Sequence, residues 1–210
     1  LAAATQSFNG LHPPQTASVF EALVMAIIGQ QISGVVARAI RARTVRALGT
    51  SFTAGGGTVY TFPKALDFLR AGQERLRALG LSVRKAEYIL GIASHAADGT
   101  LEQRRLETLS NQQVVEELVQ LRGVGPWTAQ WVLLRALGRT DAFPAGDLAL
   151  RRVISQGYFG GRSIGETEAA AFAQERWGAY AGLATTYLFA YLRRRRTPDG
   201  GLPELRGDGC

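Results

Sequence analysis

Three sets of residues in the middle of the chain have types and spacings that could do chemistry. The stretch Arg122–Pro126 reads Arg-Gly-Val-Gly-Pro, Trp127 and Trp131 follow it, and Asp147 heads a later helical pattern. Backbone N–H groups can bind an anion, aromatic faces can stack a flat ring, and a carboxylate can stabilise a developing positive charge. Each set also has a plain structural explanation, which has to be weighed against the chemical one.

The stretch Arg122–Pro126 predicts a tight hairpin between two helical patterns. Gly123 and Gly125 can take positive φ and let another backbone approach closely, while Pro126 suits the first turn of the second helix. Exposed N–H groups of the hairpin and of that helix N-terminus form an anion site suited to a DNA phosphate, and outward-turned carbonyls could hold a monovalent cation. The alternative is an ordinary corner between two helices, which also uses glycine and proline.

Trp127 and Trp131 lie one helical turn apart and therefore on one face of the second helix. Packing into the core is the default role of two tryptophans in an apolar helix. The alternative is a stacking wall for an extruded base, because an aromatic face gains about 1–3 kcal/mol per stacked base. The residues that follow the helix bear on this choice.

Asp147 comes after the loop FPAG and begins the pattern DLALRR, which is the position of an ordinary N-cap. The helix and loop that follow the hairpin could also return Asp147 to the mouth of a cleft shared with the tryptophans. A lone carboxylate beside an aromatic pocket and a phosphate-binding hairpin suits cleavage of an N-glycosidic bond, because the transition state is cationic at the sugar. One aspartate can serve as cap and as catalyst.

The elements that must position these residues are predicted to be helices, because helical punctuation recurs along the chain and clean strand alternation does not. Ser18 begins a capping box, Ser110 begins another, and Ser33 can cap a helix that ends at Gly49. Ser163 likewise predicts a helix start. The fold class is therefore all-α, with a loop around the glycines at 55–57.

Composition and charge narrow the class of protein. The chain has 210 residues, 46% hydrophobic and 20% charged, as in globular proteins. An excess of 24 Lys+Arg over 17 Asp+Glu gives +7, mostly from arginine. This excess favours a polyanionic partner, although a merely soluble basic surface is the alternative. The run Arg193–Arg196 is interpreted as a solvated helix end facing its own dipole, with DNA contact as the minority interpretation.

Several classes of site are excluded or not supported. Cys210 is the only cysteine, which excludes an internal disulfide, a cysteine zinc site and a four-cysteine iron–sulfur cluster. His12 and His95 have no supporting residues that would suggest a metal site or a relay. No apolar run approaches the roughly 20 residues that span a bilayer, and no signal peptide is visible, so a cytoplasmic protein is expected.

The hairpin, the trailing Asp147 and the stretch FEALVMAIIGQQIS together resemble the helix-hairpin-helix DNA glycosylases, most closely the 3-methyladenine DNA glycosylase II branch. GLSVRKAEYI and RWGAYAGLATTYL also fit that branch, so the resemblance runs from about Phe20 to Arg193. It implies a two-lobed all-α fold with the active cleft between the lobes. Residues 36–140 would form the central domain with the hairpin, and residues 1–35 and 141–210 would together form the second domain.

The resemblance also implies roles for individual residues. Asp147 would be the catalytic carboxylate, and Gln31 would enter the duplex and fill the gap left by a flipped nucleotide. A DNA phosphate 3′ of the lesion would be bound by Arg122, Gly123, Val124, Gly125 and Pro126. A monovalent cation, Na⁺ or K⁺, would be held by the backbone carbonyls of Val119, Leu121 and Val124. The base pocket would be lined by Trp127, Trp131, Leu148 and Tyr180.

The residue at position 127 bears on the type of reaction. In relatives that also nick the strand, a lysine stands where this chain has Trp127 and forms a Schiff base with the sugar. Without that lysine we expect a monofunctional enzyme that releases bases of the 3-methyladenine and 7-methylguanine type and leaves an abasic site. Tryptophan also suits a cationic alkylated purine, by about 0.5–2 kcal/mol. No cofactor beyond the cation is expected, and the partner would be damaged double-stranded DNA bound by a monomer.

Two alternatives stay open at this point. A non-catalytic helix-hairpin-helix module would bind duplex DNA and leave Asp147 only its capping role, and a glycosylase for mismatched or oxidised bases would differ only in the pocket. Ala181 and Gly182 stand where the family often has an arginine and a serine, which bears on the shape of that pocket. Larger family members begin with a β-rich domain, so a compact version is expected here.

Overall fold

The computed structural model describes Leu1, residues 5–6 and residues 8–194, with side chains as far as Tyr191. Its helices are α1 (Val19–Gly29), α2 (Gly34–Leu48), α3 (Ala65–Ala78), α4 (Val83–Ala97), α5 (Gln103–Glu107), α6 (Asn111–Leu118), α7 (Pro126–Arg135), α8 (Leu148–Tyr158), α9 (Glu166–Trp177) and α10 (Ala181–Arg194), with a 3₁₀ turn at Gly178–Tyr180. The all-α class is confirmed. The side chains of the run Arg193–Arg196, and Cys210, lie outside the described residues. Within the described part, no helix is both long and apolar enough to cross a bilayer.

A short β-hairpin interrupts the helices where a loop was predicted. Strands β1 (Ser51–Ala54) and β2 (Gly57–Tyr60) pair antiparallel, with Phe52 opposite Val59. The turn residues Gly55 and Gly56 have φ of 58° and 76°, as a tight two-residue hairpin turn requires. The prediction of a plain loop was wrong because all the strand residues are exposed, so no buried face imposes an alternating pattern on the sequence.

Side-chain caps begin several of the helices as predicted. Ser18 Oγ accepts a hydrogen bond from Glu21 N at 3.1 Å, as predicted. The Glu21 carboxylate accepts from Ala17 N at 3.0 Å rather than from Ser18 N, so the predicted capping box at Ser18 is only half formed. Ser33 caps α2, and Ser110 caps α6 in a complete capping box. These local bonds satisfy backbone donors that the helix interior cannot, which is why the sequence pattern located these starts.

The predicted start of α9 at Ser163 was wrong. The helix begins at Glu166 with Gly165 as its N-cap, and no side chain makes a capping bond there. Glu166 and Glu168 lie in the first turn, where negative charge is stabilised by the helix dipole. The two glutamates of the first turn therefore stabilise the helix N-terminus in place of the hydroxyl cap that was predicted.

The chain divides into two compact units, one of residues 16–132 and one of residues 1–15 with 133–210. The division falls inside α7. It groups residues 16–35 with the middle helices, whereas the predicted domains placed residues 1–35 with the C-terminal segment. In the unit of residues 16–132, α1 packs against α2 and α4, and α3 packs against α4. We call this the hairpin unit.

The core of the hairpin unit is built on α1, which is apolar on nearly every side. Its side chains Leu23, Val24 and Ile27 are completely buried, and each such aliphatic side chain contributes roughly 1.5–3 kcal/mol to stability. Phe20 packs edge-to-face on Phe68, with ring centroids 5.4 Å apart. This core fixes the end of α1, from which the turn to α2 departs.

The second unit, which we call the aspartate unit, has its core between α8, α9 and α10. Buried aliphatic residues from α8 and α10, among them Leu150, Ile154 and Leu188, form the core, and half-buried aromatic residues pack against it. Tyr158 and Phe172 have ring centroids 4.9 Å apart, joining α8 to α9. The N-terminus of α8, where Asp147 lies, is thereby anchored by the buried face of its own helix.

Candidate functional site

The predicted hairpin lies between α6 and α7. Gly123 has φ of 89°, and a Cβ built at this position would lie 2.3 Å from Cδ2 of the Tyr88 ring. Val124 is buried and its N–H donates to Leu121 O at 3.0 Å, which closes the turn. A Cβ built at Gly125 meets nothing within 4 Å. The hairpin is therefore packed on one side and open on the other, as a backbone that receives a phosphate must be.

Arg122 is the charged residue of the hairpin. Its guanidinium lies 5.6 Å from the centroid of the Tyr88 ring and 3.6 Å from the Glu87 carboxylate. The Arg122 side chain is 78% exposed, so solvent screens this ion pair and it contributes little to stability. Arg122 can therefore give up its carboxylate partner at low cost.

Trp127 and Trp131 are brought together on α7 as their spacing predicts. Their ring centroids are 6.3 Å apart and the ring planes are inclined by 74°, an edge-to-face contact. Both side chains are half-buried, whereas their helix neighbours Thr128, Ala129 and Val132 are fully buried. The core of α7 is thus made by the neighbours, and the two indoles keep part of their surface accessible.

Gln31 is exposed and lies in the turn between α1 and α2. Its φ of 56° makes it the single non-glycine residue with positive φ in the described part of the chain. Such a conformation costs about 1–3 kcal/mol and persists only where the surroundings impose it. The turn is constrained by its neighbours: Gln30 Nε2 donates to Gly123 O at 3.0 Å, and Lys85 Nζ donates to Gln30 O at 2.7 Å.

Asp147 is the N-cap of α8, as the sequence predicted. Its Oδ1 accepts from Ala149 N at 2.9 Å and from Leu150 N at 3.0 Å, while its own N–H donates to Pro144 O at 2.9 Å. Both capping bonds end on one carboxylate oxygen. The carboxylate is half-buried and held at a helix N-terminus, where the dipole favours negative charge. The cap fixes the orientation of the carboxylate, which a catalytic role also needs.

Leu148 and Tyr180 are exposed to an unusual degree for their types. They are 74% and 66% exposed, and they are the exposed large hydrophobic side chains among the described residues of the aspartate unit. Leu148 directly follows Asp147 at the head of α8, and Tyr180 ends the 3₁₀ turn before α10. Side chains so exposed have no role in the core and are free to contact a ligand.

Gly182 explains one departure from the family pattern. Its N–H donates to Thr140 O at 2.7 Å, and a Cβ built at this position would lie 2.7 Å from Ala142 O and 2.8 Å from Thr140 O. The start of α10 therefore lies directly against the backbone of the loop that leads to Asp147. The serine often found here in the family would fit only if this loop moved away.

The carbonyls predicted to hold a cation come from the end of α6 and from the hairpin. Val119 is the C-cap of α6, and Leu121 and Val124 lie in the turn that follows. Leu121 O accepts the Val124 N–H, and a carbonyl oxygen has a second lone pair for another ligand. Three neutral oxygen donors suit a hard monovalent cation, so these residues fit the predicted group.

The structure also shows supporting residues that the sequence interpretation missed. Gln30 and Lys85 constrain the turn that carries Gln31, and Tyr88 packs against Gly123. Each acts on a residue far away in the sequence, so no local pattern distinguishes them. Among the predicted site residues, the hairpin, both tryptophans and Gln31 belong to the hairpin unit, and Asp147, Leu148 and Tyr180 belong to the aspartate unit.

A family model described as "HhH-GPD superfamily base excision DNA repair protein" matches residues 24–179. The chain belongs to this superfamily. The match includes Gln31, the hairpin, both tryptophans and Asp147, and it ends one residue before Tyr180. The helix-hairpin-helix and the resemblance to DNA glycosylases are therefore confirmed at the level of the family.

Individual relatives of this HhH-GPD chain agree with the match. A DNA-3-methyladenine glycosylase of Bacillus subtilis is 34% identical over 69% of this chain and 48% of its own. The solved 3-methyladenine DNA glycosylase of Archaeoglobus fulgidus is 38% identical, with a TM-score of 0.82 over 90% of this chain and 64% of its own. The structure of MBOgg1 with a low-affinity DNA ligand is 26% identical, with a TM-score of 0.82 over 93% of this chain and 66% of its own. The chain spans about half the length of the curated relatives it matches.

Proposed function

We propose that this HhH-GPD protein is a monofunctional DNA glycosylase that flips an alkylated base out of duplex DNA and hydrolyses its N-glycosidic bond, within base excision repair. The observation that carries the proposal is Asp147, a carboxylate held at the head of α8 by two backbone hydrogen bonds to one of its oxygens. The position lies within the family match, and the similar proteins of B. subtilis and A. fulgidus are named 3-methyladenine glycosylases.

Asp147 would act at the sugar. As the base leaves, positive charge develops on the ring, and a fixed carboxylate stabilises it without reorganising during the reaction. The same carboxylate can orient the water that attacks the sugar carbon. Because alkylation already weakens the glycosidic bond, a single carboxylate suffices, and the product is an abasic site.

The base pocket would use the indoles of Trp127 and Trp131 with the exposed side chains of Leu148 and Tyr180. The electron-rich indole faces attract a cationic purine such as 3-methyladenine or 7-methylguanine by about 0.5–2 kcal/mol more than a neutral one. This preference supports alkylated bases over mismatched or oxidised ones. The 38% identity to the solved 3-methyladenine DNA glycosylase of A. fulgidus supports the same substrate class.

The absence of strand cleavage is part of the proposal. A glycosylase that also nicks DNA needs an amine that forms a Schiff base with the sugar, and position 127 holds an indole, which has no such nucleophile. The enzyme would therefore use water alone and require no cofactor.

The hairpin residues Arg122–Pro126 would bind the DNA backbone with their N–H groups and the Arg122 guanidinium. The carbonyls of Val119, Leu121 and Val124 would hold Na⁺ or K⁺, whose charge would assist phosphate binding. Gln31 would fill the space left by the flipped nucleotide, since flipping costs a few kcal/mol that a residue in the gap helps to offset. The partner would be damaged double-stranded DNA, bound by a monomer.

A non-catalytic DNA-binding module is the second candidate, and it is not favoured. It would explain the hairpin and the basic charge, and Asp147 would remain as a cap only. A binding module would not explain why Leu148 beside that cap is exposed or why the two indoles are partly exposed. The similar proteins of B. subtilis and A. fulgidus are named glycosylases rather than binding modules.

The test is base release from methylated duplex DNA, with chromatographic identification of the bases and strand breaks counted before and after alkali. We expect 3-methyladenine and 7-methylguanine to be released and breaks to appear only after alkali. Breaks before alkali, together with covalent trapping by borohydride, would show lyase activity. No base release by protein that still binds duplex DNA would establish the binding module instead.

A further inference from the structure

We infer that Gln30 is a positioning residue that links the phosphate-binding hairpin to Gln31. It would fix the position of Gln31 relative to the hairpin, so that Gln31 meets the gap left by the flipped base when the hairpin contacts the DNA backbone. This inference rests on the proposed function, which assigns the gap to Gln31. Gln30 itself would touch neither the sugar nor the base, and its effect would pass through Gln31.

The side chain of Gln30 reaches from the α1–α2 turn to the hairpin. Its Nε2 donates to Gly123 O at 3.0 Å and to Thr128 Oγ1 at 3.2 Å. Gly123 is the positive-φ residue of the hairpin, and Thr128 is a fully buried residue in the first turn of α7. One amide therefore contacts both the turn that would receive the phosphate and the helix that follows it.

The backbone of the same turn is also held by a residue of α4. Lys85 Nζ donates to Ile28 O at 2.9 Å and to Gln30 O at 2.7 Å, and burial lowers the pKa of this ammonium. The two carbonyls compensate for the water that the ammonium has lost. Three residues further along α4, the Tyr88 ring lies against Gly123. One helix thus supports both the turn and the hairpin.

The strained conformation of Gln31 is the consequence of these contacts. A glutamine at φ of 56° would relax to an ordinary conformation if its turn could move. The bonds of Gln30 and Lys85 fix the residue directly before it. Removing the side-chain bonds of Gln30 would let Gln31 relax, while the hairpin would keep its own closing bond between Val124 and Leu121.

The test is a double-mutant cycle of Gln30→Met and Gln31→Ala. Methionine keeps the length and apolar stem of glutamine but donates no hydrogen bond. The readout is the fluorescence of 2-aminopurine placed next to a stable abasic analogue in duplex DNA, which reports insertion at the gap without any chemistry. Single-turnover release of the alkylated base is the second readout. Gln174→Met, on the exposed face of α9, is the matched control.

We expect Gln30→Met to lower the single-turnover rate about tenfold and to reduce the fluorescence change, with duplex affinity close to wild type. Since Gln30 acts through Gln31, it should have less than a twofold further effect in the Gln31→Ala background. The loss of single-turnover rate in Gln30→Met should also be smaller when the alkylated base has no pairing partner in the substrate. The control should behave as wild type, and equal unfolding midpoints would show that every variant is folded.

Independent effects that multiply in the double variant would overturn the inference, because Gln30 would then act on stability or on the hairpin alone. A fluorescence change unaffected by Gln30→Met would overturn it as well. If the wild-type protein released no base but still changed the fluorescence, the proposed glycosylase function would be wrong. The double-mutant cycle could then still be measured by fluorescence, and it would test the role of Gln30 alone. The two failures are therefore distinguishable.

Discussion

The hairpin and the loop before Asp147 are both held in place at a glycine, but by different kinds of contact. At Gly123 the neighbour is a side chain, the ring of Tyr88, and φ is positive. At Gly182 a built Cβ would lie closest to the backbone oxygens of Ala142 and Thr140, with Cδ1 of Leu134 at a similar distance. A side chain can be shortened by mutation and a carbonyl cannot. The conformation of the hairpin can therefore be changed by mutating Tyr88 on α4, whereas the conformation of the loop before Asp147 depends on backbone packing.

The largest stability effect is expected at the hairpin. Gly123→Ala meets both an unfavourable φ and the Tyr88 ring, so we expect a loss of about 2–4 kcal/mol of unfolding free energy and weaker, less salt-dependent duplex binding. Urea unfolding and salt titrations measure the two effects. Adding Tyr88→Ala should recover the part of the binding loss that comes from the ring contact, but not the part from φ.

No recovery of binding in that double variant would show that the hairpin, too, is set by its backbone, and the contrast would disappear. Gly125→Ala serves as the control for stability, because its added Cβ meets nothing within 4 Å and its φ is not positive. Its unfolding midpoint should remain close to that of the wild type.

The next effect in size is expected at Gly182. Gly182→Ala adds a Cβ against two carbonyl oxygens, and we expect a loss of about 1–3 kcal/mol in unfolding free energy as the loop is pushed away. The excision rate should fall with it, since the loop leads to Asp147. The matched control is Gly91→Ala within α4, where the Cβ meets nothing and stability should rise by about 0.5–1 kcal/mol.

If Gly182→Ala were as stable and as active as the Gly91 control, the loop before Asp147 would not be set by this backbone contact. A variant that kept its stability but lost excision would sharpen the comparison instead. It would show that the loop gives way without unfolding and carries Asp147 with it.

The smallest effect concerns α6, which leads into the hairpin. The hydrogen bond from Arg105 lowers the pKa of Glu117, with an Nη2–Oε2 distance of 2.7 Å. A carboxyl with a lowered folded pKa stabilises the fold above its unfolded pKa and loses that contribution as the pH falls through the folded value. The pair is exposed, so Glu117→Gln should cost less than about 1 kcal/mol at pH 7 and nothing measurable near pH 2.

Urea unfolding of wild type and Glu117→Gln at both pH values checks this expectation, with Glu116→Gln as control, since Glu116 accepts from neutral Gln112 rather than from arginine. If the difference in unfolding free energy between wild type and Glu117→Gln grew as the pH fell, the predicted direction of the pH dependence would be wrong. An effect of several kcal/mol at pH 7 would show that solvent does not screen this exposed pair.

The features that could be predicted from the sequence are those that depend on residues close together in the chain. The hairpin follows from two glycines and a proline, and the capping role of Asp147 follows from its place before a helical pattern, because both features need only near neighbours. The start of α9 was mislocated because two glutamates took the place of a hydroxyl cap. The β-hairpin was missed because no buried face patterns its strands.

The contacts that support the candidate site could not be predicted in this way. Gln30 reaches a residue 93 positions away, and Lys85 reaches one 55 positions away, so their roles exist only once the chain has folded. The glycine at 182 was noticed as a departure from the family pattern, but its reason lies in the backbone of residues 140–142. The sequence therefore predicts turns and caps that depend on near neighbours, and it does not predict the long-range contacts that support the candidate site.

The most direct test of the central claim is single-turnover excision by Asp147→Asn. Asparagine caps a helix as well as aspartate does, so folding and duplex affinity should be preserved while the negative charge is lost. We expect the rate to fall by roughly 10²–10³. Asp141→Asn, in the same loop, makes the same change in net charge and should keep the wild-type rate. An Asp147→Asn rate within a few-fold of wild type would contradict the assignment of this carboxylate to catalysis.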